Sequence, residues 1–145
     1  MRILVFILIA ITAQAQFRKD IPSLSLGFVA GIADGGAESL KFHYDQVDAR
    51  FNLNDSYWNP AVSWRNKYSR GLSTMGPKFP GSTTYLVWTT DGYHMLRAVR
   101  NMAITGAIVL HPWSKKKWYW YVLELVGHAV VYNLGFTIGY NLHKI

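Results

Sequence analysis

The sequence contains no cysteine. That excludes a disulfide framework and a Cys-ligated zinc. Charge is also scarce. Only 16% of residues are Asp, Glu, Lys or Arg, and only eight of those are acidic, against about 25% charged residues in soluble domains. Catalytic signatures are missing as well. The glycine-rich "GIADGG" has neither the lysine nor the preceding strand of a phosphate-binding loop. No H-E-x-x-H pair occurs, and nothing like G-x-S-x-G surrounds Ser63, Ser82, Thr83 or Thr84. Repeats and low-complexity runs are absent. The net charge of +7 comes from basic residues scattered along the chain, without the basic face or module of a nucleic-acid binder. Nucleic acid is therefore not an expected partner. Anionic lipid is the simpler counter-charge.

What the chain has is apolar and aromatic surface: 50% hydrophobic residues, with 15% Phe, Trp and Tyr. Met1-Arg2, the apolar run Ile3 to Ile11 and the small-x-small step Ala13-Gln14-Ala15 form the pattern of a secretory leader over residues 1–15, or of a retained anchor. Residues 16–145 then read as a single helical membrane domain. Ser23 to Asp48 shows a helical rhythm in Leu26, Val29, Ala30, Ala33, Ala37 and Leu40. Gly27, Gly31 and Gly35 are spaced for close helix packing, and Pro22-Ser23 suits a helix start. Residues 49–84 carry turn residues interspersed with Tyr57, Trp58, Trp64, Tyr68 and Phe79, the composition of an ordered polar loop at headgroup level.

Two apolar segments follow, Gly92 to Trp113 and Trp118 to Leu142, separated by Lys115-Lys116-Lys117. They predict a C-terminal transmembrane helical hairpin with the lysine turn in the cytoplasm. Export of the mature start near Gln16 places the polar middle in the periplasm of a bacterial envelope, and the two signals agree on an inner-membrane location. Arg97 and Arg100 fall in the first span and require snorkelling or pairing with Asp34 or Glu38. The expected class is mainly α. The alternative is a small outer-membrane β-barrel, suggested by the partial alternation of "ESLKFHYD", "TTYLVWTT" and "GFTIGYNL".

Ionisable residues in such segments are costly to bury and mark candidate sites. Asp91 and His94 are spaced i, i+3, and Asp91 is also a good N-cap for the first span. Glu124 and His128 are spaced i, i+4 and share a face. The structural reading pairs Glu124 with His128, Arg97 or Arg100. Together with Glu38, these four make a speculative catalytic set: Glu38, Asp91, His94, Glu124 and His128. Carboxylates with imidazoles suit a divalent metal, which can activate a bound water. Arg65, Lys67 and Lys78 are the candidates for holding a phosphate, helped by N–H groups near Gly81-Ser82-Thr83. Gly135 and Gly139 form a G-x-x-x-G pair suited to self-association or a protein partner.

"AGIADGGAESLKFHY", "YWNPAVSWRNKYSRG" and "FPGSTTYLVWTTDGYH" resemble a group of small bacterial envelope proteins without an assigned activity. That resemblance implies no reaction and no catalytic residues. The expected function is a structural or accessory envelope component that binds lipid or a partner subunit. The alternative is a membrane-embedded, metal-assisted hydrolase acting on a lipid-like or phosphorylated substrate.

Overall fold

A computed structural model describes the backbone of residues 2–144 and the side chains of residues 19–144, and the side chains of the leader expected over residues 1–15 lie outside the described ones. The protein is mainly helical. Helix α1 (Arg2–Phe51) is followed by two single-turn helices, α2 (Asp55–Trp58) and α3 (Pro60–Ser63), and a series of short 3-10 turns. Helices α4 (Gly92–Leu110) and α5 (Trp118–Tyr140) complete the bundle. Among the described residues the only β feature is an isolated bridge between Tyr68 and Pro77. The barrel alternative therefore finds no support. "ESLKFHYD" lies in α1, "GFTIGYNL" runs through the end of α5, and "TTYLVWTT" folds into consecutive turns. Their alternation was too short to outweigh the helical continuity of the flanking sequence.

Helix α1 does not begin at Pro22-Ser23. It runs through Pro22 and bends at His43, where the backbone leaves helical geometry (φ −136°, ψ 28°). Proline removes one N–H and crowds the preceding turn. After Phe51 the chain turns sharply. Asn52 adopts a left-handed conformation, and Asp48 accepts the Asn52 N–H at its carbonyl oxygen (2.8 Å) and the Leu53 N–H at Oδ1 (2.7 Å). Helix α4 stops at Leu110, short of the Trp113 boundary expected from hydropathy. His111 precedes Pro112, and the residue before a proline is driven out of the helical region.

α1 is the central element. Both α4 and α5 pack along it, while they touch each other little. The expected paired hairpin is thus wedged open by α1. Hydrogen bonds fix the directions: Ser23 meets Ala107 and His128, Asp34 meets Arg100 and Tyr132, and His43 meets Tyr140. α5 therefore runs with α1 and α4 runs against it.

The core is built from small residues. Among the described residues, Ala30, Ala33, Ala37, Ala103 and Ala107 account for most of the buried apolar side chains, with only Leu40 and Val47 larger. The two buried residues of α5 are Gly135 and Gly139. A Cβ on Gly135 would collide with the Phe28 carbonyl oxygen, and one on Gly139 with that of Ile32. Reciprocally, Gly31 lies against the Tyr132 carbonyl and Gly35 against that of Phe136. The G-x-x-x-G pair of α5, expected to serve association between chains, is engaged by α1 of the same chain.

Large apolar groups point outward instead. Val109 and Leu125 are each 71% exposed, and Val122, Leu123, Val126, Val130, Leu134 and Ile138 are exposed along α5. Among the described residues, one helical stretch, Trp118–Lys144, is long and apolar enough to cross a membrane.

Candidate functional site

The five residues grouped from the sequence lie at three levels of the bundle. Asp91 caps α4 and accepts the backbone N–H of His94 (2.9 Å). It also binds the His94 ring at Nδ1 (2.8 Å) and accepts the Thr90 hydroxyl (3.1 Å). The carboxylate is 1% exposed, so capping and orientation of the imidazole occupy it fully. The pair lines a cleft of about 230 Å³ with Lys41, Ser63, Trp64 and Tyr93. The loop docks here too. The Trp58 indole lies on Gly92, and Asn66 Nδ2 donates to the Thr90 carbonyl (3.0 Å). Burial, with the Asp91 carboxylate nearby, pushes the Tyr57 hydroxyl up.

Glu38 faces Arg97 one turn deeper (3.3 Å). Arg97 also reaches Asp34 (3.1 Å), as does Arg100 (2.8 Å), and the Tyr132 hydroxyl donates to the second oxygen of Asp34 (2.6 Å). The two arginines are paired by Asp34 and Glu38, which joins all three long helices through side chains that would otherwise be isolated charges.

Glu124 and His128 occupy the far end. His94 and His111 are separated by the length of α4, about 25 Å at 1.5 Å per residue, and His111 stands beside Glu124 (3.4 Å). One five-residue pocket is therefore excluded by geometry. Glu124 pairs with Lys116 and His111, not with Arg97 or Arg100. His128 Nδ1 donates to the Glu124 carbonyl (2.9 Å), one helical turn back, and its Nε2 lies 2.8 Å from Ser23 Oγ. The same hydroxyl contacts the Ala107 carbonyl (2.7 Å).

Sequence reading missed three members of this end: Asp20, Ser23 and His111. Asp20 is 4% exposed, and its Oδ1 is buried without a hydrogen-bond partner. His111 Nδ1 is likewise buried and unpartnered. Orphaned polar atoms cost about 1–3 kcal/mol each. Asp20, His111 and Glu124 each present one ligand-type atom within 4.8 Å of the others. A helical spacing search links residues within one element, and these three sit on α1, on the linker after α4, and on α5.

Above this cluster opens an apolar cleft of about 370 Å³ between α4 and α5. Ile104, Ile108, Trp113, Tyr121 and Leu125 form its walls, and Ser23 and Gly27 of α1 form its floor. It exists because α1 holds the two flanking helices apart. Ser23 and His128 resemble a nucleophile–base pair, but acyl transfer also needs free N–H donors aimed at an oxyanion. The backbone around Ser23 is inside α1, where N–H groups serve the helical ladder.

Arg65 and Lys67 lie over the rings of their neighbours Trp64 and Tyr68, while Lys78 is exposed. The Lys67 carbonyl accepts the Lys78 N–H (2.9 Å) and the Ser82 hydroxyl (2.7 Å), so the two lysines share one turn. The N–H groups of Ser82 and Thr84 donate within that turn, to Phe79 and Gly81. No family model, curated protein or solved structure matches the chain.

Proposed function

We propose that the protein is a small helical membrane component that holds a lipid acyl chain in the cleft between α4 and α5, as an accessory envelope protein. The inside-out distribution of side chains carries this reading. Alanine and glycine fill the core, while seven aliphatic side chains of α5, from Val122 to Ile138, stay exposed. Full burial of each is worth about 1.5–3 kcal/mol, so in water several kcal/mol of stabilisation would go unrealised, a quantity comparable to the whole stability of a domain. In lipid that penalty vanishes. The exposed polar side chains of the same surface turn back onto their own helices. On α5 Asn133 donates to the Ala129 carbonyl (2.7 Å) and Thr137 to that of Asn133 (2.8 Å), and on α4 Thr105 does the same to that of Asn101 (2.9 Å). Such back-bonding satisfies a polar group where water is absent.

The proposed orientation keeps the lysine turn in the cytoplasm and the polar middle in the periplasm of an inner membrane. It also carries a consequence for the N-terminal side. Asp20 lies within electrostatic reach of Lys116, so Lys19 and Asp20 share the face of the lysine turn. The sequence reading placed those two regions on opposite faces. For the hydrolase alternative, Asp91 and His94 meet at one cleft, while Glu124 and His128 lie at the other end of the bundle.

The deciding experiment is fluorescence of a variant retaining Trp113 as its sole tryptophan, reconstituted in bilayers of phospholipid brominated along the acyl chain. Trp113 is expected to be quenched strongly by bromine and weakly by aqueous iodide. The sole-Trp58 counterpart, placed in the polar middle, should behave in reverse. Iodide quenching of Trp113 as of a free indole, in protein that stays monodisperse without detergent, would overturn the reading. Orientation is accessible because the chain has no cysteine. In Lys19→Cys and Lys115→Cys the thiols should react with an impermeant maleimide from one face, and in Ser73→Cys from the other.

A further inference from the structure

We propose that Asp20, His111 and Glu124 form a binding site for a divalent transition-metal ion at the lysine-turn end of the bundle. The site goes beyond the lipid reading and stands independently of it. Three elements supply its ligands: α1, the linker after α4, and α5. Tetrahedral ligation at about 2.0–2.2 Å sets ligand atoms roughly 3.3–3.6 Å apart. His111 Nε2 and Glu124 Oε2 already stand at 3.4 Å, and the whole set lies within 4.8 Å. A small approach of Asp20 closes the triangle.

Two further observations point to a cation. Asp20 is more than nine-tenths buried, yet its Oδ1 has no hydrogen-bond partner. Lys116 extends its ammonium onto Glu124, with only 6% of its side chain exposed. Two carboxylates from different helices thus face each other beside a single lysine from an irregular linker. The ammonium contacts Glu124 and leaves Asp20 Oδ1 without a hydrogen bond, whereas a metal ion can accept a lone pair from each of the three ligands. Lys116 is free of regular structure on its N-terminal side and can swing towards solvent as the ion enters. One imidazole with two carboxylates suits Zn²⁺, Mn²⁺ or Fe²⁺ better than Ca²⁺ or Mg²⁺, which prefer all-oxygen shells. The cleft, whose lining includes His111 and Glu124, leaves an approach for a further ligand.

The test is Zn²⁺ binding to the full chain in detergent, purified without a polyhistidine tag, by competition with a chromogenic chelator. Mn²⁺ serves as a second probe. Wild type is expected to bind one Zn²⁺ per chain. Asp20→Asn, His111→Ala and Glu124→Gln should each weaken binding by more than the roughly 10–100-fold typical of a neighbour to a ligand. Lys116→Met should tighten it by about tenfold, because a competing charge at contact distance is removed. A purely structural ion pair predicts no such gain. His43 and His143 stack elsewhere in the bundle with ring centroids 4.0 Å apart and offer Zn²⁺ a competing pair of imidazoles, so His43→Gln/His143→Gln must retain binding. Helical circular dichroism identifies any variant that fails to fold, and isosteric Asp20→Asn is the decisive one. The proposal is overturned if neither wild type nor Lys116→Met binds Zn²⁺ or Mn²⁺ stoichiometrically, or if binding survives both Asp20→Asn and Glu124→Gln. Bromine quenching of Trp113 is read without metal, so the two readings fail separately.

Discussion

Gly135→Ala is expected to destabilise the folded bundle by about 3 kcal/mol, at the upper end of overpacking costs, while Gly127→Ala leaves it unchanged or slightly more stable. Both glycines lie on α5, two turns apart, and both substitutions add one methyl to a helix. Alanine is favoured over glycine by about 1 kcal/mol in helix propensity, equally at the two positions. Their surroundings differ. A Cβ at position 127 meets only the end of the Leu24 side chain, at 3.8 Å. A Cβ at position 135 drives into the backbone of α1 at Phe28 and Ile32. Backbone cannot rotate away as a side chain does, so α1 and α5 must separate. The change spreads along the whole contact, because Gly31, Gly35 and Gly139 rely on the same interaxial distance. Unfolding of each variant in mixed micelles, followed by circular dichroism, gives the comparison. Equal stabilities would mean that the glycine seam does not set the helix spacing.

That seam was partly legible in the sequence. The spacing of Gly27, Gly31 and Gly35, and of Gly135 and Gly139, announces close packing, but spacing on one helix does not name its partner. The α5 pair reads equally well as a surface for a second chain, and only the opposing series in α1 decides. The same limit explains the site. Asp91 and His94 lie within one turn, so the cap and the imidazole contact were visible as a pattern. Asp20, His111 and Glu124 meet across the fold, and no periodicity links them. Hydropathy located α5 well because its apolar residues run all the way round it. It overran the end of α4, because the break there depends on the backbone restriction that Pro112 imposes on His111. The central position of α1 was the least readable feature. Its small, glycine-rich face looks weakly hydrophobic, yet this is the surface on which the other two helices close.

Asp34→Ala is the second substitution expected to act strongly, lowering stability by about 2–4 kcal/mol. A fully buried pair broken on one side costs about 3–5 kcal/mol. The estimate is reduced because the Arg97 side chain is 35% exposed and partly screened. Asp34 accepts from Arg97, Arg100 and Tyr132 at once, so its removal orphans groups on both α4 and α5. Arg97 retains Glu38 (3.3 Å). Arg100 keeps only its neighbour Asn101 among the described contacts, and its largely buried guanidinium is left without an opposite charge. The decisive control is Asp34→Leu combined with Arg100→Leu and Tyr132→Phe. This variant removes the charge, its principal partner and the hydroxyl together, and should recover most of the lost stability, because no uncompensated group remains. Exposed Asp45→Ala should have little effect. Should the triple variant be as unstable as Asp34→Ala, the loss would lie in the shape of the carboxylate site and not in stranded charge. If Asp34→Ala proved as mild as Asp45→Ala, the two arginines would have to be solvated well enough to do without the Asp34 carboxylate.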